Sequence, residues 1–251
     1  MKKILITGAS EGIGEAVAHL LASKGHQITL VARTASRLSE VVSKLPGKGH
    51  DFITADLSNF SDVSQFETVF KEKSYDVLIN NAGYGIYGNF HLISLEEQLN
   101  MMHLNMDALT VLCHYFLQNT KAGDAIINVA SFLGHSSYPG GTVYAATKAF
   151  VINFSEGLWY EWKDKGVFIN AFCPGSTITR FHKVAGKELE TSRNRSQTAE
   201  EVAAELVQTL ENRSEPMEVS GFVNRTMVFL SKRLMTNKMR VKMMGKFSPL
   251  K

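Results

Sequence analysis

Cysteine is scarce: Cys113 and Cys173 are the two in 251 residues, too few for a disulfide framework or a four-thiolate metal site. Both read as small core residues, and their scarcity fits a reducing compartment. The eight histidines show no metal-ligand spacing. No apolar run approaches the ~20 residues of a membrane span. The opening Met1-Lys2-Lys3-Ile4-Leu5-Ile6 is basic and then apolar, but Thr7-Gly8 ends it short of a signal-peptide core. Repeats, low-complexity tracts and interdomain linkers are missing. No Gly-Lys-Ser/Thr follows the first glycine-rich turn, which argues against a P-loop, and no fold-level motif supports nucleic-acid binding. Acidic residues stop at Glu218, while Arg225, Lys232, Arg233, Lys238, Arg240, Lys242, Lys246 and Lys251 lie beyond it. Residues 1–218 carry 19 basic against 24 acidic groups, so a body of net −5 bears a tail of +8.

What is present is an ordinary globular composition, 44% apolar and 20% charged, long enough to bury a core without staples. Lys3 to Thr7 reads as a short buried strand. Gly8-Ala9-Ser10-Glu11-Gly12-Ile13-Gly14 follows, and then Ala16, Val17, Leu20 and Leu21 at helical spacing. Gln27 to Ala32, His50 to Ala55, Asp76 to Ile79, Ala125 to Ala130 and Val167 to Cys173 read as further strands, with Pro216 to Val219 as a candidate last one. Helical patterns separate them: Asp62 to Phe70, a long helix from the capping box Ser94-Leu95-Glu96-Glu97 to about Leu117, one carrying Tyr144 and Lys148, and one opened by Thr198-Ala199-Glu200-Glu201. Strands alternating with helices predict an α/β fold, a doubly wound parallel sheet with helices on both faces. We expect one Rossmann-like domain over residues 1–221 and a basic, Met-rich helical extension over 222–251.

Several stretches suit a bound nucleotide. A strand, a glycine turn and a helix N-terminus together favour a phosphate, because glycine lets backbone approach and the helix offers free N–H groups. The spacing is Gly8-x-x-x-Gly12-x-Gly14, not Gly-x-Gly-x-x-Gly. Arg33 directly follows the second strand, where an acid would favour NAD and an arginine can hold the 2′-phosphate of NADP; Arg37 stands one turn on. A solvated Arg33 is the alternative. Asn80-Asn81-Ala82-Gly83 closes the fourth strand, at the strand end where such sheets bind ligands. Tyr144 and Lys148 lie one turn apart on a helix face. An ammonium beside a phenol favours the phenolate, so this spacing predicts a lowered Tyr144 pKa, suited to proton exchange with an alcohol or ketone.

Taken together, these residues resemble the short-chain dehydrogenase/reductase family over about residues 1–221. Thr7-Gly8-x-x-x-Gly12-x-Gly14 is similar to its coenzyme motif, and Asn80-Asn81-Ala82-Gly83 to its sheet-stabilising motif. Asn105, Ser131, Tyr144 and Lys148 match its catalytic tetrad in order and spacing, and Pro174-Gly175 with Thr179 resembles its nicotinamide-end motif. The resemblance implies hydride transfer between NADP(H), with NAD(H) less favoured, and a carbonyl or alcohol; Glu11 departs from it, standing where NADP-preferring members often carry a basic residue, and weighs against the Arg33 reading. It makes Tyr144 the general acid/base, with Lys148 lowering its pKa and binding the nicotinamide ribose. Ser131 would hold the substrate oxygen, and Asn105 would position a relay water. It also places Gly8, Ser10, Glu11, Gly12, Ile13 and Gly14, then Arg33, Asp56 and Leu57, then Asn81, Ala82 and Gly83, and finally Pro174, Gly175, Thr177 and Thr179 against the cofactor. A homodimer or homotetramer and a cytoplasmic location are implied too. The rival reading is a non-catalytic dinucleotide-binding scaffold or redox sensor.

Tyr84, Tyr87, Phe132, His135, Tyr138, Phe172, Phe181 and His182 flank the expected site and suggest a mainly apolar pocket with a few polar anchors, for a hydrophobic ketone, a fatty-acyl derivative or a steroid-like compound. The segment from Ser176 to Gln197 is expected to form a lid. For the tail, Val223, Met227, Leu230, Leu234 and Val241 keep roughly helical spacing among cations. That stripe either packs on the body or a partner subunit, which we expect, or makes a peripheral contact with an anionic membrane surface.

Overall fold

A computed structural model of the protein describes residues 1–179, 196–248 and 250. Its centre is a seven-stranded sheet, β1 Lys3–Thr7, β2 Gln27–Ala32, β3 Asp51–Thr54, β4 Val77–Asn80, β5 Ala125–Val129, β6 Phe168–Cys173 and β9 Met217–Val219, in the order β3-β2-β1-β4-β5-β6-β9. Every neighbouring pair is parallel. A short pair, β7 Thr177–Ile178 and β8 Gln197–Thr198, stands apart, so both ends of the expected lid are paired backbone.

The sheet is buried on both faces, which is why its strands read as apolar runs rather than as alternating patterns. Ile4, Ile6, Ile28 and Leu30 pack with α1 Gly12–Ser23, α2 Ala35–Lys44 and α8 Ala199–Asn212. Leu5, Val31 and Leu78 point the other way, onto α4 Phe66–Glu72, α6 Leu109–Gln118 and α7 Thr142–Trp162. Successive residues of a strand thus serve opposite layers. The strand order runs outward in both directions from β1 and β4, so the crevice of the switch point opens at the ends of those two strands.

Several boundaries differ from expectation. The helix predicted over 62–70 is two, α3 Phe60–Ser64 and α4, because the Gln65 carbonyl accepts from both Thr68 and Val69 and restarts the spiral. The long helix begins as α5 Leu95–Met102, widens to a π-helical turn over His103–Ala108 and continues as α6. Ser94 accepts from the Glu97 N–H as predicted, whereas the reciprocal capping box is complete at Thr198 and Glu201.

The tail forms α9 Phe222–Leu234 and α10 Asn237–Lys246. Val228 and Met244 are its buried anchors, and Asn224 donates to the Ser220 carbonyl. The expected packing of the apolar stripe on the body does not occur: Val223, Met227, Leu230 and Leu234 are all exposed. Val228 lies on the opposite side of α9 and takes the contact instead.

Candidate active site

The glycine turn leaves β1 with Gly8 and Gly12 at φ 64 and 63, a left-handed backbone that L side chains avoid. Thr7 anchors the neighbouring crossover: its hydroxyl accepts from the Asn81 and Ala82 N–H groups at 3.0 Å. The Asn81 amide donates in turn to the Thr7 and Gly8 carbonyls, also at 3.0 Å. Gly14 does not line the cavity, contrary to expectation. A Cβ there would stand 2.5 Å from the Gly8 carbonyl oxygen, so its role is the close approach of α1 to the turn. Glu11 occupies the N-cap of α1 without a side-chain cap bond, beside the cavity-lining Gly12 and Ile13. That uncapped end and the bare glycine turn fit a nucleotide pyrophosphate.

Arg33, Asp56 and Leu57 line the same cavity, with Ser10, Glu11, Ala82, Gly83, Pro174, Gly175, Thr177 and Thr179 around it. Arg37 forms an ion pair with Glu11 at 3.2 Å, so the two side chains that pulled the cofactor reading in opposite directions partly neutralise each other. Arg33 is left at the exposed rim.

The groups expected to react come from three elements. Ser131 follows β5 and is hydrogen-bonded to Tyr144 on α7, while its Oγ also accepts from the Leu133 N–H at 3.1 Å. One turn on, Lys148 is 4% exposed; its Nζ donates to the Val129 carbonyl at 2.8 Å and lies 6.0 Å from the Tyr144 ring centroid. A Cβ on Gly83 would stand 3.3 Å from that Nζ and 2.9 Å from Asn105 Oδ1, so only glycine fits there. Asn105 comes from the π-helical turn and, although expected in the site, sits behind the cavity wall at 1% exposure. Its amide donates to the Tyr84 carbonyl at 2.9 Å and to Thr147 Oγ1 at 3.1 Å, and its Oδ1 accepts from the Tyr84 N–H at 3.1 Å. One Oδ1 lone pair stays available for the relay water that the resemblance implies.

The expected lowering of the Tyr144 pKa is not what the structure shows. Burial pushes Tyr144 up to about 12, and the Ser131 hydrogen bond only partly opposes it. Lys148 is itself desolvated, down to about 8, which weakens the positive field it can exert.

The cavity has a volume of about 820 Å³, inside the range of small-molecule sites. Tyr84, Tyr87, Phe132 and Tyr138 line it as expected; His135 does not, Phe172 is turned fully into the core, and Phe181 and His182 lie outside the described residues. Tyr87 stands edge-on to both Tyr144 and Tyr138, with ring centroids 5.9 and 6.1 Å away. Phe247 also joins the wall, and Tyr138 donates to its carbonyl at 2.9 Å. Sequence reasoning missed Phe247, because no local pattern signals a residue that closes a site from 109 positions away.

The parallel sheet, the glycine turn and the Ser–Tyr–Lys cluster define an oxidoreductase of the dinucleotide-fold class. The family model described as short chain dehydrogenase matches residues 2–190, and the chain belongs to the short-chain dehydrogenase/reductase family. It is 35% identical over 189 residues to a glucose 1-dehydrogenase of Gluconobacter oxydans (strain 621H), covering 71% of this chain and 70% of that one. It is 29% identical over 236 residues to a very-long-chain 3-oxoacyl-CoA reductase-B of Danio rerio, covering 90% and 76%. Among solved structures, a short-chain dehydrogenase from Sphingobium yanoikuyae in complex with NADPH superposes with a TM-score of 0.84 at 29% identity, over 93% of this chain and 94% of that one.

Proposed function

We propose that the protein is an NADP(H)-dependent carbonyl reductase or alcohol dehydrogenase for a mainly apolar substrate. The observation that carries the reading is the hydrogen-bonded Ser131–Tyr144 pair at the wall of a cavity that also contains the glycine turn and Arg33. The NADPH bound to the similar structure supports the choice of cofactor. Arg33 holds the 2′-phosphate, Gly8 to Ile13 cradle the pyrophosphate, and Lys148 binds the nicotinamide ribose. The nicotinamide, when bound, gives or takes the hydride.

The chain's own part is the proton. Ser131 donates to the substrate oxygen and orients it toward Tyr144. A phenol pushed up to about 12 keeps its proton at neutral pH, which is the form that reduction of a carbonyl uses. Tyr144 passes that proton to the oxygen as the carbonyl carbon is reduced, and the Lys148 ammonium stabilises the phenolate left behind. Oxidation of an alcohol runs the transfer backward. Asn105 is a positioning residue, holding the Tyr84 backbone against α7 and offering its free lone pair to a water.

The relatives' named substrates, glucose and a very-long-chain 3-oxoacyl-CoA, differ too much to transfer. The wall of Tyr84, Tyr87, Phe132, Tyr138 and Phe247 favours an apolar carbonyl over a sugar. Pairing through α5 and α7 into a homodimer or homotetramer fits the exposed Leu95 and Leu99 on α5 and Phe150 on α7.

The test is NADPH oxidation over a panel of ketones, aldehydes and 3-oxoacyl thioesters. We expect turnover on apolar members, abolished in Tyr144→Phe with NADPH affinity nearly intact, because only a hydroxyl is removed. NADPH binding without turnover on any carbonyl would favour the scaffold reading. Near-native turnover in Tyr144→Phe would remove the proton from Tyr144.

A further inference from the structure

The outer side of α9 has no part in the chemistry above. At about 100° per residue, Phe229, Phe222, Leu230, Val223, Leu234 and Met227 fall within an arc of about 160°. All six are exposed, from 38% at Met227 to 78% at Phe222. Val228, the buried residue of α9, stands opposite the middle of that arc. The helix rests on the body by a narrow strip and turns its broad apolar side to solvent, the reverse of an ordinary amphipathic helix on a globular domain. Met239 and Val241 carry exposed apolar surface on into α10.

The charge around that surface has one sign. Residues 219–251 contain no Asp or Glu. Arg225 pairs with Glu218, at the edge of the body. Lys232, Arg233, Lys238, Lys242 and Lys246 are exposed and make no ion pair among the described residues. Arg233 and Thr226 fall inside the same arc, and Arg233 lies over the Phe229 ring, 5.5 Å from its centroid, so the face is apolar with one cation set among its side chains.

We propose that α9 and α10 dock on an anionic lipid surface, with the apolar side of α9 in the headgroup boundary and the lysines and arginines on lipid phosphates. A second copy of this chain is the weaker occupant. A two-fold interface sets the same patch against itself, and here it would oppose two uncompensated cationic fields. A lipid surface supplies the missing negative charge and takes up aromatic and long aliphatic side chains without demanding a complementary shape. No described helix is long and apolar enough to cross a membrane, so the contact is peripheral. Phe247, directly after α10, is 58% exposed and also lines the cavity, so the docking segment ends at the rim of the cavity. The contact is read by binding alone and stands whether or not the catalytic proposal does.

The test is co-sedimentation of the full chain with vesicles of phosphatidylcholine, and of phosphatidylcholine mixed with phosphatidylglycerol, at low and high salt. Binding to the mixed vesicles should exceed that to neutral ones by about ten-fold or more and weaken as salt rises. Phe229→Ser with Leu234→Ser should abolish it without changing the thermal midpoint. Lys238→Gln with Lys242→Gln, which leaves the apolar face intact, should reduce it several-fold. Equal binding to both vesicle types, no binding to either, or binding that survives both variants would overturn the proposal. So would light scattering in which the Phe229/Leu234 variant turns an oligomer into monomers, which would make a second copy the occupant.

Discussion

Lys148 is the residue whose environment is most at odds with its charge. Its pKa of about 8 in the folded chain lies below the ordinary 10.5, because burial disfavours the ammonium. Between those values the unfolded chain holds the proton and the folded chain has released it. Stability therefore rises as pH climbs from about 8 to about 10.5, and this gain is lost as pH falls back through 8. Tyr144 acts in the other sense: its pKa of about 12 exceeds the ordinary 10.0, so its contribution is complete below pH 10 and is lost above it. Cys113 and Cys173, both pushed up to about 12 by burial, lower stability from about pH 9 in either protein, so the test is a difference: the urea midpoint of the native cofactor-free chain should gain on that of Lys148→Met between pH 8 and 10. An unchanged slope in the variant would show that Lys148 does not titrate in that window. Arg33 is tested by kinetics. A charge-assisted phosphate contact is worth roughly 1.5–3 kcal/mol. Arg33→Ala should accordingly narrow the preference for NADPH over NADH by about ten-fold or more, chiefly through KM. Glu11→Gln should widen it, by releasing Arg37 from its 3.2 Å ion pair. Equal use of both cofactors by the native protein, unaltered in either variant, would remove the phosphate role from Arg33.

At the scale of elements, the glycine turn and α1 act as one unit. The hydrogen of Gly14 faces the Gly8 carbonyl, and the alanine methyl would sit 2.5 Å from that oxygen. Backbone cannot step aside as a flexible side chain can. Gly14→Ala should cost about 1–3 kcal/mol in denaturant titrations and weaken NADPH binding along with it. Normal stability and affinity in that variant would mean α1 can shift freely against the turn. Most of this architecture was legible beforehand, for a physical reason. The central strands are buried on both faces, so β1, β2, β4, β5 and β6 appear as apolar runs, and the turns between them need glycine or an amide at set places. The Tyr144–Lys148 pair stood out because both residues share one helix, whereas Ser131 and Asn105 entered through the family resemblance. What escaped is what depends on packing between distant segments. The π-helical turn at Asn105 leaves no mark in residue types, and the purpose of its amide appears only once Tyr84 and Thr147 are beside it. The pKa shifts escaped for the same reason: spacing brings an ammonium near a phenol, but burial outweighs that effect in both.

For the molecule as a whole, the question is how the tail relates to the site. The expected boundary at residue 221 falls two residues after the last strand, and the chain beyond it makes contacts at the cavity. Asn224 of α9 packs against Gly175, where a Cβ would stand 2.2 Å from its amide nitrogen, so the start of the tail rests on the loop after β6. After α10 the chain returns to the cavity: Tyr138 donates to the Phe247 carbonyl at 2.9 Å, and Ser248 donates to the Pro139 carbonyl at 2.8 Å. The cofactor half of the cavity, built from the glycine turn, Arg33 and Asp56, has no part in these bonds. The two halves should therefore respond differently to a short truncation. A chain ending at Lys246 keeps α9 and α10 but loses the Phe247 wall and the hold on Tyr138. Phe247 is partly exposed, so its loss should cost about 1 kcal/mol of substrate binding, or about five-fold in KM for an apolar carbonyl. The NADPH dissociation constant should stay as it was. Phe247→Gly, which preserves the backbone carbonyl, should reproduce most of the KM change if the ring is what matters. If the truncation raises KM and Phe247→Gly does not, the hold on Tyr138 is the working contact. If neither moves KM, the tail does not close the site. If the truncation weakens NADPH as much as it weakens substrate, the two halves of the cavity are coupled through the loop after β6.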